Sequence, residues 1–217
     1  MAGRTGSALR HVFRALGPAI AGVSSKEAVR AGLGALIGLG VASLFILSPE
    51  VDFQLGLYLI APFGATAVLL FAVPNSPLAQ PWSAVVGNTL AAVVAVAVCL
   101  LVADPASRIA LSVGLAITAM SIARALHPPA GAVAMTAAMS PEAIHELGFY
   151  FAVAPVALGT AILVLIAMGY ARVTGRRYPF RHFEDVNSHG TADSPDIVSS
   201  VNSLFSKHGI LQRYQQS

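Results

Sequence analysis

Between Phe53 and Ala103 the chain carries no Lys, Arg, Asp or Glu, and the same holds from Ala31 to Pro49, from Ile109 to Ala123 and from Leu147 to Ala171. About 20 uncharged apolar residues, rising about 1.5 Å each as a helix, cross the hydrocarbon core of a bilayer. Stretches of this kind therefore predict membrane-spanning helices. Composition agrees: 56% of the 217 residues are hydrophobic and 11% are charged, against about 25% charged in a soluble domain. The expected fold class is all-α, a polytopic transmembrane helix bundle, and a soluble enzyme is excluded.

The charges that remain are informative by position. Arg4, Arg10, Arg14, Lys26 and Arg30 precede the first apolar run, and Arg172, Arg176, Arg177 and Arg181 follow the last. Two basic flanks fit the positive-inside rule, with both termini cytoplasmic, rather than one folded face that tracks phosphates. No nucleic-acid partner is expected, despite a net charge of +3. The one cysteine, Cys99, lies in an apolar run, so no intrachain disulfide can form.

Leu9, Val12, Phe13 and Leu16 recur at helical spacing opposite Arg10, His11 and Arg14. This reads as an amphipathic helix lying on the membrane surface and ended by Gly17-Pro18, with an organellar presequence as the alternative. No cleaved secretory signal is expected.

Five apolar runs stand out, at about residues 29–47, 55–73, 83–102, 108–126 and 149–171, and a sixth, Pro128 to Met139, is short. Two cytoplasmic ends demand an even number of crossings, so about six are expected, with a re-entrant sixth segment as the alternative. Glu50, Asp52, Asp104, Glu142 and Glu146 then face outward, and Arg124 inward. The domain division is a basic segment over 1–28, a transmembrane domain over 29–172 and a polar cytoplasmic tail over 173–217, in which Val198 to Gln212 reads as a short amphipathic helix. Gly34 and Gly38 form a GxxxG that lets helices approach closely, within the bundle or between subunits of a homo-oligomer. Gly32-Leu33-Gly34 is not a dinucleotide fingerprint, since Ile37 takes the third glycine position.

Two segments break the helical pattern alike. Ala61-Pro62-Phe63-Gly64-Ala65-Thr66-Ala67 and Pro128-Pro129-Ala130-Gly131-Ala132-Val133-Ala134 share Pro, Gly and two Ala at an offset of 67, and each is followed by a Ser-Pro. Six spans divide into three plus three, and an odd number per half makes the halves inverted, as in many transporters. Proline lacks an N–H and suits the first turn, so Pro62 and Pro129 read as helix starts. Two such starts present unpaired donors and a positive dipole end to a small anion. The candidate substrate-binding residues are Phe63, Gly64, Ala65, Thr66, Ala130, Gly131 and Ala132, with His127 able to contact the anion or carry a proton. Ordinary kinking and packing is the competing reading of both breaks.

Arg124 and Asn88 are candidates for an entrance and a pathway. Arg124 also reads as a headgroup anchor, and Asn88 as a group that needs a neighbouring carbonyl. Among the polar residues near the third run, Trp82 reads as an interface anchor. Glu142-Ala143-Ile144-His145 has the Glu-x-x-His spacing of di-iron bundles, but it occurs once, so no metal and no cofactor is expected. No nucleophile and base pair can be named, and the chain is not expected to be an enzyme.

At His127-Pro128-Pro129-Ala130-Gly131-Ala132 the sequence resembles the HPP family of integral membrane proteins. The likeness extends to Pro62 through Phe71, to Pro77-Leu78-Ala79-Gln80-Pro81 and to Arg177-Tyr178-Pro179, covering roughly residues 25 to 180. The family is usually described with four transmembrane helices, fewer than the charges here predict. The resemblance implies transport, with nitrite the associated substrate in plant and cyanobacterial members. Where many relatives have Arg-Asn after Gln-Pro, this chain has Trp82-Ser83. Some relatives carry a nucleotide-binding regulatory domain, for which the tail is too short. The expected function is a transporter or channel for a small inorganic anion, nitrite first and nitrate second. The expected setting is a bacterial inner membrane, or an organellar one. A non-transporting scaffold or sensor is the rival.

Overall fold

The computed structural model describes residues 22–47 and 53–180. The expected surface helix before Gly17, Glu50, Asp52 and the tail helix after Val198 lie outside the described residues.

Among those residues the chain is helical, and its helices are punctuated by proline. Ser24 accepts a hydrogen bond from the Glu27 amide and caps α1 (Ser25–Ile46). α2 is Phe53–Ala72, and a single 3₁₀ turn at Pro77–Ala79 leads to α3 (Pro81–Leu101). Asp104 caps α4 (Pro105–Ile122) through the Ser107 amide at 2.8 Å, a bond that holds its carboxyl below the usual carboxylate range. α5 is Pro128–Met139 and α6 is Pro141–Leu147. A π-helical segment, Ala152–Ala157, kinked at Ala154, leads into α7 (Leu158–Val173). Thus α3, α4, α5 and α6 all begin at proline, whose missing N–H costs nothing in a first turn.

Among the described residues five helices are long and apolar enough to cross a membrane: Ser25–Ile46, Phe53–Ala72, Pro81–Leu101, Pro105–Ile122 and Ala152–Val173. They match the five runs read from the sequence. The first and last share one end of the bundle, because Glu27 pairs with Arg176 and the Tyr170 hydroxyl donates to the Arg30 carbonyl at 2.8 Å. The chain thus returns to the end of the bundle where it began, which five long helices alone would not do, and α5 runs the remaining length of the bundle. It runs beside α3 in the same direction: Gly87 backs onto Ala125 and His127 at one end, and Cys99 Sγ donates to the Ala137 carbonyl at the other. With 12 residues α5 is about 18 Å long, well short of a bilayer core of about 30 Å. The shortfall is tolerable because α2, α3 and α4 pack round it, so its ends meet protein rather than lipid.

Small residues make this packing possible. A Cβ on Gly34 would lie 2.5 Å from Phe71 and 2.7 Å from Tyr170, and one on Gly38 2.6 Å from Phe71. The GxxxG therefore seats α1 against α2 and α7 within the bundle, while Leu36 and Leu44 on its other side are exposed. At the far end, buried Arg108 donates from Nε to the Ala138 carbonyl at 2.8 Å and from Nη1 to the Ala103 carbonyl at 3.1 Å. Its charge complements the negative ends of α5 and α3, which explains a lone arginine away from both basic flanks.

Candidate functional site

The four segments that carry the family likeness converge at the end of the bundle where α1 begins and α7 ends. Their common anchor is the turn Pro77–Ala79. Gln80 donates to the carbonyls of Pro74 and Ser76, both at 2.9 Å, and accepts from the Phe180 amide at 2.8 Å. Ser83 donates to the Pro77 carbonyl at 3.0 Å. The Tyr178 hydroxyl donates to the Ala79 carbonyl at 2.8 Å, and burial raises its phenol pKa well above the ordinary value, so it remains a donor. Trp82, expected as an interface anchor, also donates to the Ala123 carbonyl at 3.2 Å.

His127 completes the arrangement. Its side chain is fully buried, with Nδ1 2.8 Å from the Leu78 carbonyl and Nε2 3.0 Å from Thr66 Oγ1. A carbonyl only accepts, so Nδ1 carries a proton. Thr66 lies 3.0 Å from the Pro62 carbonyl as well. The two Pro-Gly motifs, distant in sequence, thus meet through one imidazole and one hydroxyl.

Their backbones do not match the expectation. Pro62 lies inside α2 and does not start a helix. The amides of Phe63, Gly64, Ala65 and Thr66 are consumed within that helix, so no donor cradle exists there. Their side chains also diverge, as steps of about 100° per residue require. Phe63 packs on Gly159, Gly64 faces Leu39, Ala65 is exposed, and Thr66 alone of the four meets His127. The missing amide of Pro62 frees the Tyr58 carbonyl, to which the Thr136 hydroxyl of α5 donates at 3.5 Å.

Pro129 does stand in a first turn, as expected, with His127 as N-cap. Yet Pro128 and Pro129 have no amide, and that of Ala130 donates to the His127 carbonyl at 2.9 Å. The expected pair of converging helix dipoles reduces to one start whose first three positions offer no free donor. Ala130 is buried, whereas Gly131 and Ala132 are half-buried, and a Cβ on Gly131 would meet nothing within 4 Å.

Arg124 is exposed and closes α4 in a left-handed conformation, φ 52°. Its amide donates to the Ser121 carbonyl and that of Ala125 to Met120, the two bonds of a Schellman cap. Asn88, buried in α3, donates to Thr160 Oγ1 at 3.0 Å beside the kinked entry to α7, and its Oδ1 has no protein partner. Glu142 and Glu146 line a cavity of about 310 Å³ with Gln54 and Tyr58 at the far end. Among the described residues no group of three or more His, Cys, Asp or Glu could hold a metal ion.

Sequence reasoning missed Gly87, where a Cβ would lie 2.5 Å from the Ala125 carbonyl oxygen and 2.9 Å from His127 Cβ. A glycine next to a buried asparagine inside a strongly apolar helix was its only signal. Gln80 and Tyr178 were noticed only as letters in motifs, since their partners lie far along the chain.

Residues 20–179 match the family described as HPP, transmembrane region. Two transmembrane proteins of Dictyostelium discoideum are similar to the chain. One is 36% identical over 154 residues, covering 68% of this chain and 48% of the relative, and the other is 38% identical over 154 residues, covering 68% and 53%. The chain thus spans about half the length of these curated relatives. No solved structure matches. With the family matched from before α1 to the buried Tyr178, the chain belongs to the HPP family of integral membrane proteins.

Proposed function

We propose that the protein moves a small monovalent inorganic anion, nitrite first and nitrate second, across the membrane. The observation that carries this reading is the buried His127–Thr66 contact, a polar pair inside a membrane bundle where the motif segments meet. Polar side chains in such a place are costly and are retained chiefly along substrate and proton routes. In the revised site the anion rests beside the His127–Thr66 pair, whose own donors are bonded to protein, and the half-buried face at Gly131 is the approach. The basic end of the bundle faces the cytoplasm in this reading, by the charge rule. Homo-oligomers, the inverted repeat and a bacterial inner membrane belong to the same proposal.

The test is uptake of nitrite and nitrate by liposomes holding the purified protein, run well above the pKa of nitrous acid because that acid crosses bilayers unaided. Gly131→Leu should abolish flux while the protein still inserts, because its side chain fills the open space there, and Gly131→Ala should retain it. Unchanged flux in the leucine variant moves the site elsewhere. A second reading, a non-transporting scaffold or sensor, draws on the saturation of His127, whose two ring nitrogens both have partners. It requires that no anion flux depends on the protein.

A further inference from the structure

We propose that the His127–Thr66 pair is a proton-binding site, filled once for each anion carried, so that proton and anion cross together without net charge movement. The inference rests on the transport reading and adds its coupling.

The geometry supports two protonation states without moving a heavy atom. In the neutral ring Nδ1–H donates to the Leu78 carbonyl, and the Thr66 hydroxyl donates to the Nε2 lone pair. When a proton from water forms a bond to Nε2, that nitrogen becomes a donor to Thr66 Oγ1. The hydroxyl hydrogen then turns to the Pro62 carbonyl, 3.0 Å away. Each donor has an acceptor in both states, and the only change is rotation about one C–O bond. Without that second acceptor for the hydroxyl, protonation would leave a donor unpaired.

Coupling follows from the surroundings. Neither α2 nor α3 carries a charged residue, and neither do the Pro77–Ala79 turn and α5. The 123–127 loop offers Arg124, which is exposed, and α4 carries only Arg108, bonded at the far end. Arg172 of α7 is exposed, and the Tyr178 phenol is bonded to Ala79. Among the described residues no carboxylate is bonded to the imidazole, so an imidazolium here is an uncompensated buried charge. A monovalent anion at the Gly131 side compensates it, and the imidazolium in turn compensates the anion. Each ligand raises the affinity for the other by the same factor.

The experiment uses the full chain in liposomes with nitrate as probe, since nitric acid is fully ionised and cannot leak as the neutral acid. Nitrate uptake should acidify the lumen, one proton per nitrate. It should also be insensitive to a potassium diffusion potential set with valinomycin. In the same preparation, the ¹⁵N-histidine signal that His127→Gln removes should show an Nε2 titration midpoint that rises with nitrate, by at most about one pH unit per tenfold increase, between the nitrate dissociation constants of the protonated and neutral forms, and then levels off. Thr66→Val should shift that midpoint and Thr66→Ser restore it, which tests the hydroxyl without removing the ring. Flux that follows the applied potential with no luminal acidification overturns the coupling and leaves transport standing. An Nε2 midpoint indifferent to nitrate overturns it as well. If no anion moves and the midpoint still responds to nitrate, the transport reading fails while the linked proton site stands.

Discussion

Two Pro-Gly motifs that look alike in sequence are built differently. Pro62 interrupts the hydrogen bonding of α2 without ending it, whereas Pro128 and Pro129 open α5. The residues before each proline decide. Leu59, Ile60 and Ala61 carry no stop signal, so the helix runs through. His127 follows the cap at Arg124 that has already closed α4, and before Pro128 it takes the extended φ −140°, ψ 103°. Inside a membrane, a proline in mid-helix is tolerable when a neighbour donates to the freed carbonyl, and here that neighbour is Thr136 of the other motif's helix. The two motifs, alike in sequence, therefore meet as complementary parts of one contact.

The comparison can be broken most forcefully at Gly87. A methyl group there meets backbone and Cβ of the loop that positions His127, so Gly87→Ala should cost about 1–3 kcal/mol and lower the thermal midpoint in detergent. An unchanged midpoint would show that the loop before α5 yields freely and is not what fixes its start. A sharper test addresses the freed carbonyl. Thr136→Val should cost about 1 kcal/mol in the native chain, but nearly nothing beside Pro62→Ala, which restores the amide to Tyr58; additive effects would refute the pairing. The smallest effect is expected at the helix ends. Arg124 and Gly175 occupy the same left-handed position of two Schellman caps, with φ 52° and 70°. Gly175→Ala should lose about 1 kcal/mol. Arg124→Gly should gain a few tenths, its relief of strain partly offset by a freer unfolded chain. If Arg124 attracts anions, the same variant should slow uptake at low salt while its thermal midpoint holds or rises.

The spans were legible because lipid leaves little choice: the charge-free runs became the five long helices, and the two basic flanks meet at one end of the bundle. His127, Thr66 and Gly131 were legible as chemistry out of place in apolar sequence. Pro62 was misread because a proline signals a helix start only together with its predecessors and its partners in space. The GxxxG contacts were left open between subunit and bundle, since close approach does not name its partner. Gln80, Tyr178, Gly87 and Arg108 act through main-chain atoms of distant segments, and a carbonyl oxygen leaves no trace in the letters. Periodicity reports which face is buried, not which carbonyl it meets.

Glu27 and Arg176 fasten the first turn of the bundle to the residues just after its last helix. The transmembrane path is in effect a loop whose two loose ends are tied at one face. A domain fused before Ser24 or after Phe180 would therefore emerge at the same spot and could reach the turn that holds His127 from either side. A circularly permuted chain, cut between α1 and α2 and joined across Glu27 and Arg176, should still be able to assemble.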